Sequence, residues 1–256
     1  MSERPASSEG ATARTDPGLP TIDVNEYGGK IDGERQVLDR RLFMQLFVFT
    51  APEGSDPDAI GNALANAAAK AGVRSVIYDD ANDPRGIGLL TWSEDPAHFV
   101  AKVRPLFAKE PLRGLKLRPE MTMLGRTYSS GHEPRLRWWL LEKPIENVTS
   151  PELRWHVWYP LRRSGAFAKL DPHEQSIILR EHAAIGMAYG QQDLAHDVRL
   201  ACHGLDASDN EFVIGLIGRD LYPLSHVVQS MRKTKQTSDY IVQMGPFFVG
   251  HVSRRT

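Results

Sequence analysis

One histidine stands among apolar residues in the segment DPHEQSIILREHAAIGMAYG. Ile178, His182, Ile185 and Tyr189 recur at i, i+4, i+7 and i+11, a spacing that puts all four on one face of an α-helix. A neutral imidazole on such a face is suited to binding a metal or a metallo-cofactor. The alternative is a buried histidine whose ring nitrogen is hydrogen-bonded to a backbone carbonyl.

A second candidate site is the segment WYPLRRSG, residues 158–165. It places Tyr159 at a predicted strand end and two arginines, Arg162 and Arg163, before a glycine. Arginine binds carboxylates through two parallel hydrogen bonds, and a tyrosine at a strand end could transfer a proton or an electron. The alternative is a solvated basic loop beside a tyrosine that packs on the core.

The pattern of apolar residues predicts the elements that position these side chains. From Arg41 the order is strand, helix, strand, strand, helix, strand, and the second half of the chain repeats it. Three Asp-Pro pairs open helices, because aspartate caps a helix and proline fits its first turn. Two successive βαββαβ units indicate an α+β fold of two fused ferredoxin-like units, joined into a dimeric α+β barrel within one subunit.

The predicted organisation has four parts. Residues 1–38 are expected to be disordered or to form an arm, since they are polar and rich in Ser, Pro and Gly. The N-terminal unit covers residues 39–130, and the C-terminal unit covers residues 151–253. Residues 131–150 are expected to be a linker that crosses the surface, with Trp138 and Trp139 packing on a sheet face or a neighbouring subunit.

Composition excludes several classes of function. The net charge of -1 argues against nucleic acid as the main partner, because phosphate binding needs a basic surplus. No apolar stretch approaches the length of a membrane span, and the N-terminus lacks the apolar centre of a signal peptide. The single cysteine, Cys202, cannot form an internal disulfide. Together these features predict a cytoplasmic protein without a membrane or nucleic-acid partner.

Six segments resemble, in order, the chlorite dismutase-like haem proteins, a family that includes chlorite dismutases and peroxide-dependent coproheme decarboxylases. The resemblance covers about residues 150–252, while in the first half only the layout of elements matches. It implies two fused ferredoxin-like units per subunit, a pentameric ring, and haem b or coproheme in the C-terminal half. The segments are WYPLRRSG, LREHAAIGMAYG, CHGLD, EFVIGLI, VVQSMRKTKQTS and GPFFVG.

The resemblance also implies roles for individual residues. His182 corresponds to the histidine that binds the iron of the porphyrin. Tyr159 matches the tyrosine that becomes a radical and attacks a propionate in the decarboxylases. Arg163 replaces a nearby lysine and is expected to supply the positive charge that anchors a propionate. Further residues expected at the cofactor are Gln236, as the acceptor that orients His182, Thr237 or Ser238, as a propionate-binding hydroxyl, and Arg135 or Arg137, as a propionate-binding arginine.

The chain departs from the family pattern on the other side of the iron. Counting back from Gly204, the position of the chlorite dismutase arginine is taken by Asp197. Arg199 lies two residues on and therefore on the same strand face, so that a shift of register would bring it into the pocket. A carboxylate would not stabilise chlorite, but it could act as an acid–base group for peroxide.

The function expected from the resemblance is peroxide-dependent oxidative decarboxylation of coproheme to haem b, with hydrogen peroxide and an iron porphyrin as substrates. One alternative is a chlorite dismutase or a generic haem peroxidase. Another is a haem carrier or sensor, or a structural family member without a cofactor.

Overall fold

The computed structural model describes residues 18–256. Its first element is an antiparallel hairpin of β1 (Glu26–Ile31) and β2 (Glu34–Leu38), so of the two predicted alternatives for these residues, disorder or an arm, disorder does not apply. The turn between them is Asp32-Gly33 with positive φ at both residues, the pair that a tight hairpin turn favours. The hairpin is fixed by backbone pairing, since the Gly29 amide donates to the Glu133 carbonyl at 2.9 Å. Residues 1–17 lie outside the described residues.

The N-terminal unit has the strand order of a ferredoxin-like sheet, with its first strand in the interior of the sheet. Asp56 caps the first helix by accepting from the Asp58 amide at 3.0 Å, as the Asp-Pro pair predicts. The predicted second helix is split into a π-helical turn (Phe99–Val103) and a 3₁₀ turn (Arg104–Ala108), because Pro105 has no amide hydrogen to continue the ladder. The elements are β3 (Phe43–Thr50), α1 (Pro57–Lys70), β4 (Ser75–Asp80), β5 (Gly86–Ser93), β6 (Lys116–Leu117) and β7 (Met123–Thr127).

The segment between the two units is not a surface linker. It contains a π-helical turn (Trp138–Glu142) and the helix α2 (Lys143–Thr149). Leu136, Leu140 and Val148 are at most 2% exposed and belong to the central core. The expected linker is therefore a helical segment that packs into the core, because its leucines recur at a spacing that buries one face.

The C-terminal unit repeats the same strand order. Asp171 caps its first long helix by accepting from the His173 amide at 2.8 Å. The predicted final strand is interrupted at Gly245-Pro246, where proline cannot donate to the ladder. The elements are β8 (Trp155–Arg163), α3 (Gly165–Ala168), α4 (Pro172–Gln191), β9 (His196–Ala201), β10 (Phe212–Gly218), α5 (Leu221–Met231), β11 (Ile241–Met244) and β12 (Phe248–Arg255).

The two sheets join into one closed barrel, which confirms the predicted fold class. β4 pairs with β12, and β7 pairs with β9. The inner faces share one core, in which Trp158, Tyr78 and Phe248 are fully buried. The helices lie on the outer faces, where each unit buries a separate apolar cluster. Within residues 18–256, no helix combines the length and apolar character needed to cross a membrane.

Candidate functional site

The outer face of the C-terminal sheet carries three of the predicted residues. Arg199 on β9 pairs with Ile214 on β10, which in turn pairs with Tyr159 on β8. Cross-strand partners point to the same face of a sheet, and so do residues two apart on one strand. Asp197, Arg199 and Tyr159 therefore share this face, with Tyr159 two strands, or about 10 Å, from Arg199.

Tyr159 is buried among apolar side chains, with 6% of its surface exposed. Its ring stacks on Phe247 at a centroid distance of 4.6 Å. Burial raises the pKa of the Tyr159 phenol, and the positive charge of Arg232 opposes that rise. The phenol therefore keeps its proton at neutral pH.

Helix α4 lies against this region with its apolar face incompletely covered. Of its twenty residues, Ile178 is buried, Ile185 and Tyr189 are only partly so, and Met187 is 59% exposed. Polar contacts attach the helix to α5 and to the segment after it: the Tyr189 hydroxyl lies 3.2 Å from Ser230 Oγ. Burial of an apolar face normally provides most of the stability of a helix. Because the apolar face of α4 is only partly buried, it offers surface against which a further group would pack.

His182 lies on α4 with one ring nitrogen held. Its Nδ1 is 3.3 Å from Oγ1 of Thr234, which is 1% exposed. The Thr234 hydroxyl donates to the Met231 carbonyl at 2.7 Å, so its oxygen accepts from Nδ1–H. This arrangement leaves the lone pair on Nε2 of His182.

The electrostatic surroundings keep His182 neutral. Burial lowers the pKa of the imidazole, and the positive charge of Arg199 lowers it further. Glu181 acts in the opposite direction. A neutral imidazole with a free Nε2 is the form that binds a transition metal.

The comparisons with known proteins agree with this architecture. The family model described as chlorite dismutase matches residues 117–253. The chain belongs to the chlorite dismutase family. No curated protein sequence matches it significantly.

Two solved structures illustrate the likeness of the fold. A heme-binding protein from Thermus thermophilus is 18% identical, with a TM-score of 0.63 over 84% of this chain and 92% of that chain. A mutant chlorite dismutase from Candidatus Nitrospira defluvii is 13% identical, with a TM-score of 0.66 over 85% of this chain and 93% of that chain.

In this member of the chlorite dismutase family, Asp197 is held by two cations. Lys143 Nζ lies 2.6 Å from Asp197 Oδ1, and Arg199 Nε lies 3.1 Å from Oδ2. Burial by itself would raise the pKa of the Asp197 carboxyl, but Arg199 and Lys143 outweigh it and the pKa is lowered. Asp197 is therefore a carboxylate at neutral pH, so it can accept a proton but has none to donate.

Trp139 and a small cavity complete this ion cluster. The Trp139 ring has Lys143 Nζ at 3.9 Å from its centroid and the Arg199 guanidinium carbon at 5.0 Å. A cavity of about 10 Å³ lies among the cluster residues, which is space for about one water. Trp139 thus packs against side chains of β9, in agreement with the sheet face that was one of the two predicted alternatives.

The charge of Arg163 is paired with an acidic side chain of the protein. Its guanidinium binds Glu211, with Nε 3.0 Å from Oε2, and lies between the rings of Phe167 and Phe212 at 4.4 and 4.7 Å. The prediction that Arg163 binds a propionate does not fit this arrangement, because its charge is already neutralised.

The other predicted arginines are also engaged elsewhere. Arg135 stacks on the Trp138 ring at 4.2 Å. Arg137 pairs with Glu142 at 3.1 Å and is 60% exposed. Neither forms a hydrogen bond or ion pair with His182 or Tyr159, and both precede the helical turn that begins at Trp138.

The segment after α5 supplies the partners of His182, although not the one expected. Thr237 Oγ1 lies 3.3 Å from Thr234 Oγ1, which places Thr237 beside the histidine. Ser238 is exposed and donates to Asp239 at 2.6 Å. Gln236 makes no hydrogen bond to His182, and its Oε1 is buried without a partner.

Three residues of the site were missed by sequence reasoning. Thr234 and Arg232 lie in MRKTKQTS, where the run of positive charge was the available signal. Arg232 is exposed, and its positive charge lowers the pKa of the Tyr159 phenol. In the part of the chain that the structure describes, it forms no ion pair with an acidic side chain. Lys143 lies in the supposed linker, and nothing in the sequence connects it with Asp197.

Proposed function

We propose that the chain binds an iron porphyrin through His182 Nε2 and uses peroxide to decarboxylate coproheme to haem b. The observation that carries this proposal is the neutral, Thr234-bound His182 on a helix whose apolar face is incompletely covered. A flat apolar group bound through His182 would cover this surface, and Tyr159, in the same apolar cluster as Ile185 and Tyr189, would be the redox-active side chain of the site.

The residues present fit such a group. His182 offers one nitrogen donor and would hold the iron of a porphyrin. The buried Oε1 of Gln236 lacks a hydrogen-bond donor, which a protonated carboxyl or a bound water at a propionate would provide. The apolar side chains around Tyr159, among them Phe247 and Ile214, suit the face of a macrocycle.

Bound iron porphyrin would supply the redox chemistry that activates peroxide. Arg232 provides a positive charge near Tyr159 without a competing acid, so it would anchor a propionate there. Tyr159 keeps its phenolic proton until the reaction removes it. Asp197, held as a carboxylate, can accept a proton from peroxide but cannot serve as the acid.

The reaction balances with peroxide as the only oxidant. Each of two propionic acid groups loses carbon dioxide, two protons and two electrons to become a vinyl group, and each of these steps reduces one hydrogen peroxide to two waters, so that two peroxides are consumed in all. The test is titration of the purified protein with iron coproporphyrin III and then peroxide, followed by mass spectrometry. Loss of two carboxyl groups from the porphyrin is expected. Porphyrin binding with no change of mass would refute decarboxylation and favour a peroxidase or a haem carrier. The His182→Ala variant should bind porphyrin with an altered absorption spectrum, and an unchanged spectrum would refute the ligand assignment.

Chlorite breakdown is the second candidate function. It is favoured by Arg199, a cation on the same sheet face as Tyr159, because a cation stabilises an anionic substrate. Against it, Arg199 is paired with Asp197. Evolution of dioxygen on addition of chlorite would support chlorite breakdown as the activity. The pentameric ring remains a prediction, and analytical ultracentrifugation would test it by measuring the mass of the assembly.

A further inference from the structure

The N-terminal unit contains an apolar cavity on the outer face of its sheet. Its volume is about 450 Å³, which is within the range of small-molecule sites. Its wall includes Phe47, Phe49 and Phe107, whose ring centroids lie 4.8 to 6.3 Å apart. Such a lining suits an aliphatic or aromatic body.

Two cations stand at the mouth of this cavity. Arg104 and Arg113 both line it and are both exposed. Within residues 18–256, neither guanidinium forms an ion pair with an acidic side chain. Guanidinium groups bind carboxylates with two parallel hydrogen bonds, so the mouth favours an anionic end group.

A polar group also lies along the wall. The Oε1 atom of Gln45 is buried and has no hydrogen-bond partner, although buried polar atoms are nearly always paired. The cavity thus combines an apolar wall, a glutamine whose buried oxygen is unpaired behind that wall, and two cations at its opening.

The position of this cavity in the N-terminal unit is equivalent to the position of part of the His182 site in the C-terminal unit. β6 pairs with β3 as β11 pairs with β8. Leu112 and Leu115, in the segment that leads into β6, line the cavity, and Gln236 lies in the segment that leads into β11. No histidine or cysteine is among the lining residues, so the cavity offers no such ligand to iron.

We propose that this cavity binds an amphipathic carboxylic acid, with its apolar body against the phenylalanines and its carboxylate at Arg104 and Arg113. The concave shape and the cationic mouth favour a small acid over a second copy of the chain, since a stable interface between copies needs a larger apolar surface. This site is separate from the porphyrin site proposed above and does not depend on it.

The test is calorimetric titration of the full chain with dodecanoate and with dodecanol. Saturable binding of one dodecanoate is expected, with dodecanol at least tenfold weaker because it lacks the charge. The double variant Arg104→Gln/Arg113→Gln should weaken dodecanoate at least tenfold and leave dodecanol unchanged. Arg85→Gln, an exposed arginine away from the cavity, is the matched control and should change neither affinity. Equal affinities for acid and alcohol, or a double variant that binds dodecanoate like the wild type, would overturn the proposal.

Methyl-labelled protein locates the ligand by NMR. Dodecanoate should shift the methyl signals of Val100 and Leu115 at the cavity and leave those of Leu216 and Val249, near Tyr159, in place. Shifts confined to the second pair, or displacement of the acid by haem, would assign the binding to the other unit. Changes at Val100 on dilution of the protein alone would assign the cavity to a second copy of the chain, which also overturns the proposal.

Discussion

The substitution Thr234→Val tests how His182 is oriented. It removes the hydroxyl that accepts from Nδ1–H at 3.3 Å and keeps the shape of the side chain. Loss of such an outer hydrogen bond costs about 10–100-fold in metal affinity. Because this contact is long, we expect the lower end, about tenfold or about 1.4 kcal/mol.

The same substitution has a separate cost in stability. The Thr234 hydroxyl also donates to the Met231 carbonyl at 2.7 Å, which keeps the backbone amide of residue 234 as a second donor at 3.0 Å, so the loss is that of one net hydrogen bond, about 0.5–1.5 kcal/mol. The free energy of unfolding of the protein without porphyrin should fall by an amount of this order. Thr234→Ser keeps the hydroxyl and should restore both properties.

The assay combines the rate of haem loss to excess apomyoglobin with resonance Raman spectroscopy of the ferrous protein. Thr234→Val should lose haem about tenfold faster and lower the frequency of the iron–histidine stretch, since the imidazole becomes a weaker donor. Thr149→Val is the matched control, because the Thr149 hydroxyl donates to the Ile145 carbonyl at 2.7 Å in the same way and forms no hydrogen bond to His182. Wild-type haem loss and an unchanged stretch in Thr234→Val would show that Thr234 does not orient the ring.

Four further predictions concern other parts of the molecule. Tyr159→Phe should bind coproheme normally and lose decarboxylation; vinyl products by mass spectrometry would refute the role of the phenol. Arg232→Gln should weaken coproheme binding severalfold and Lys233→Gln should not, as measured by absorption titration, and equal effects would point to net charge alone. His156 is buried with its pKa lowered to about 3 by burial, so the folded state binds fewer protons than the unfolded state below about pH 6.5. Stability should therefore fall by up to about 1.4 kcal/mol per pH unit from pH 6.5 towards 3, and urea titrations should show a shallower fall in His156→Gln. Porphyrin binding should slow hydrogen exchange in α4, and unchanged exchange there would mean that the group binds elsewhere.

Much of the fold follows from local patterns. The Asp-Pro pairs set the starts of α1 and α4, and the alternation of apolar residues sets the long strands. The missed elements depend on distant contacts: the hairpin at 26–38 is fixed by a backbone bond from Gly29 to Glu133, and the segment at 131–150 is folded by burial in a core that both units build. A pattern confined to a few residues does not show such partners.

In the candidate site, too, the features that depend on local spacing were predicted and those that depend on distant contacts were not. The place of His182 on an apolar helix face and the shared face of Asp197 and Arg199 follow from the periods of a helix and a strand. The hydrogen bond to Thr234 spans 52 residues, and the ion pair of Lys143 with Asp197 spans 54. Both depend on how the elements meet, which the spacing within one element does not encode.

Closure of the barrel has a consequence for any attempt to simplify this protein. A fragment that carries only the C-terminal unit would keep His182 and Tyr159, but it would expose β9 and β12, which now pair with β7 and β4. Exposed strand edges invite pairing with other chains. The N-terminal unit thus covers two strand edges of the C-terminal unit, and we expect a fragment cut between the repeats to associate through those edges.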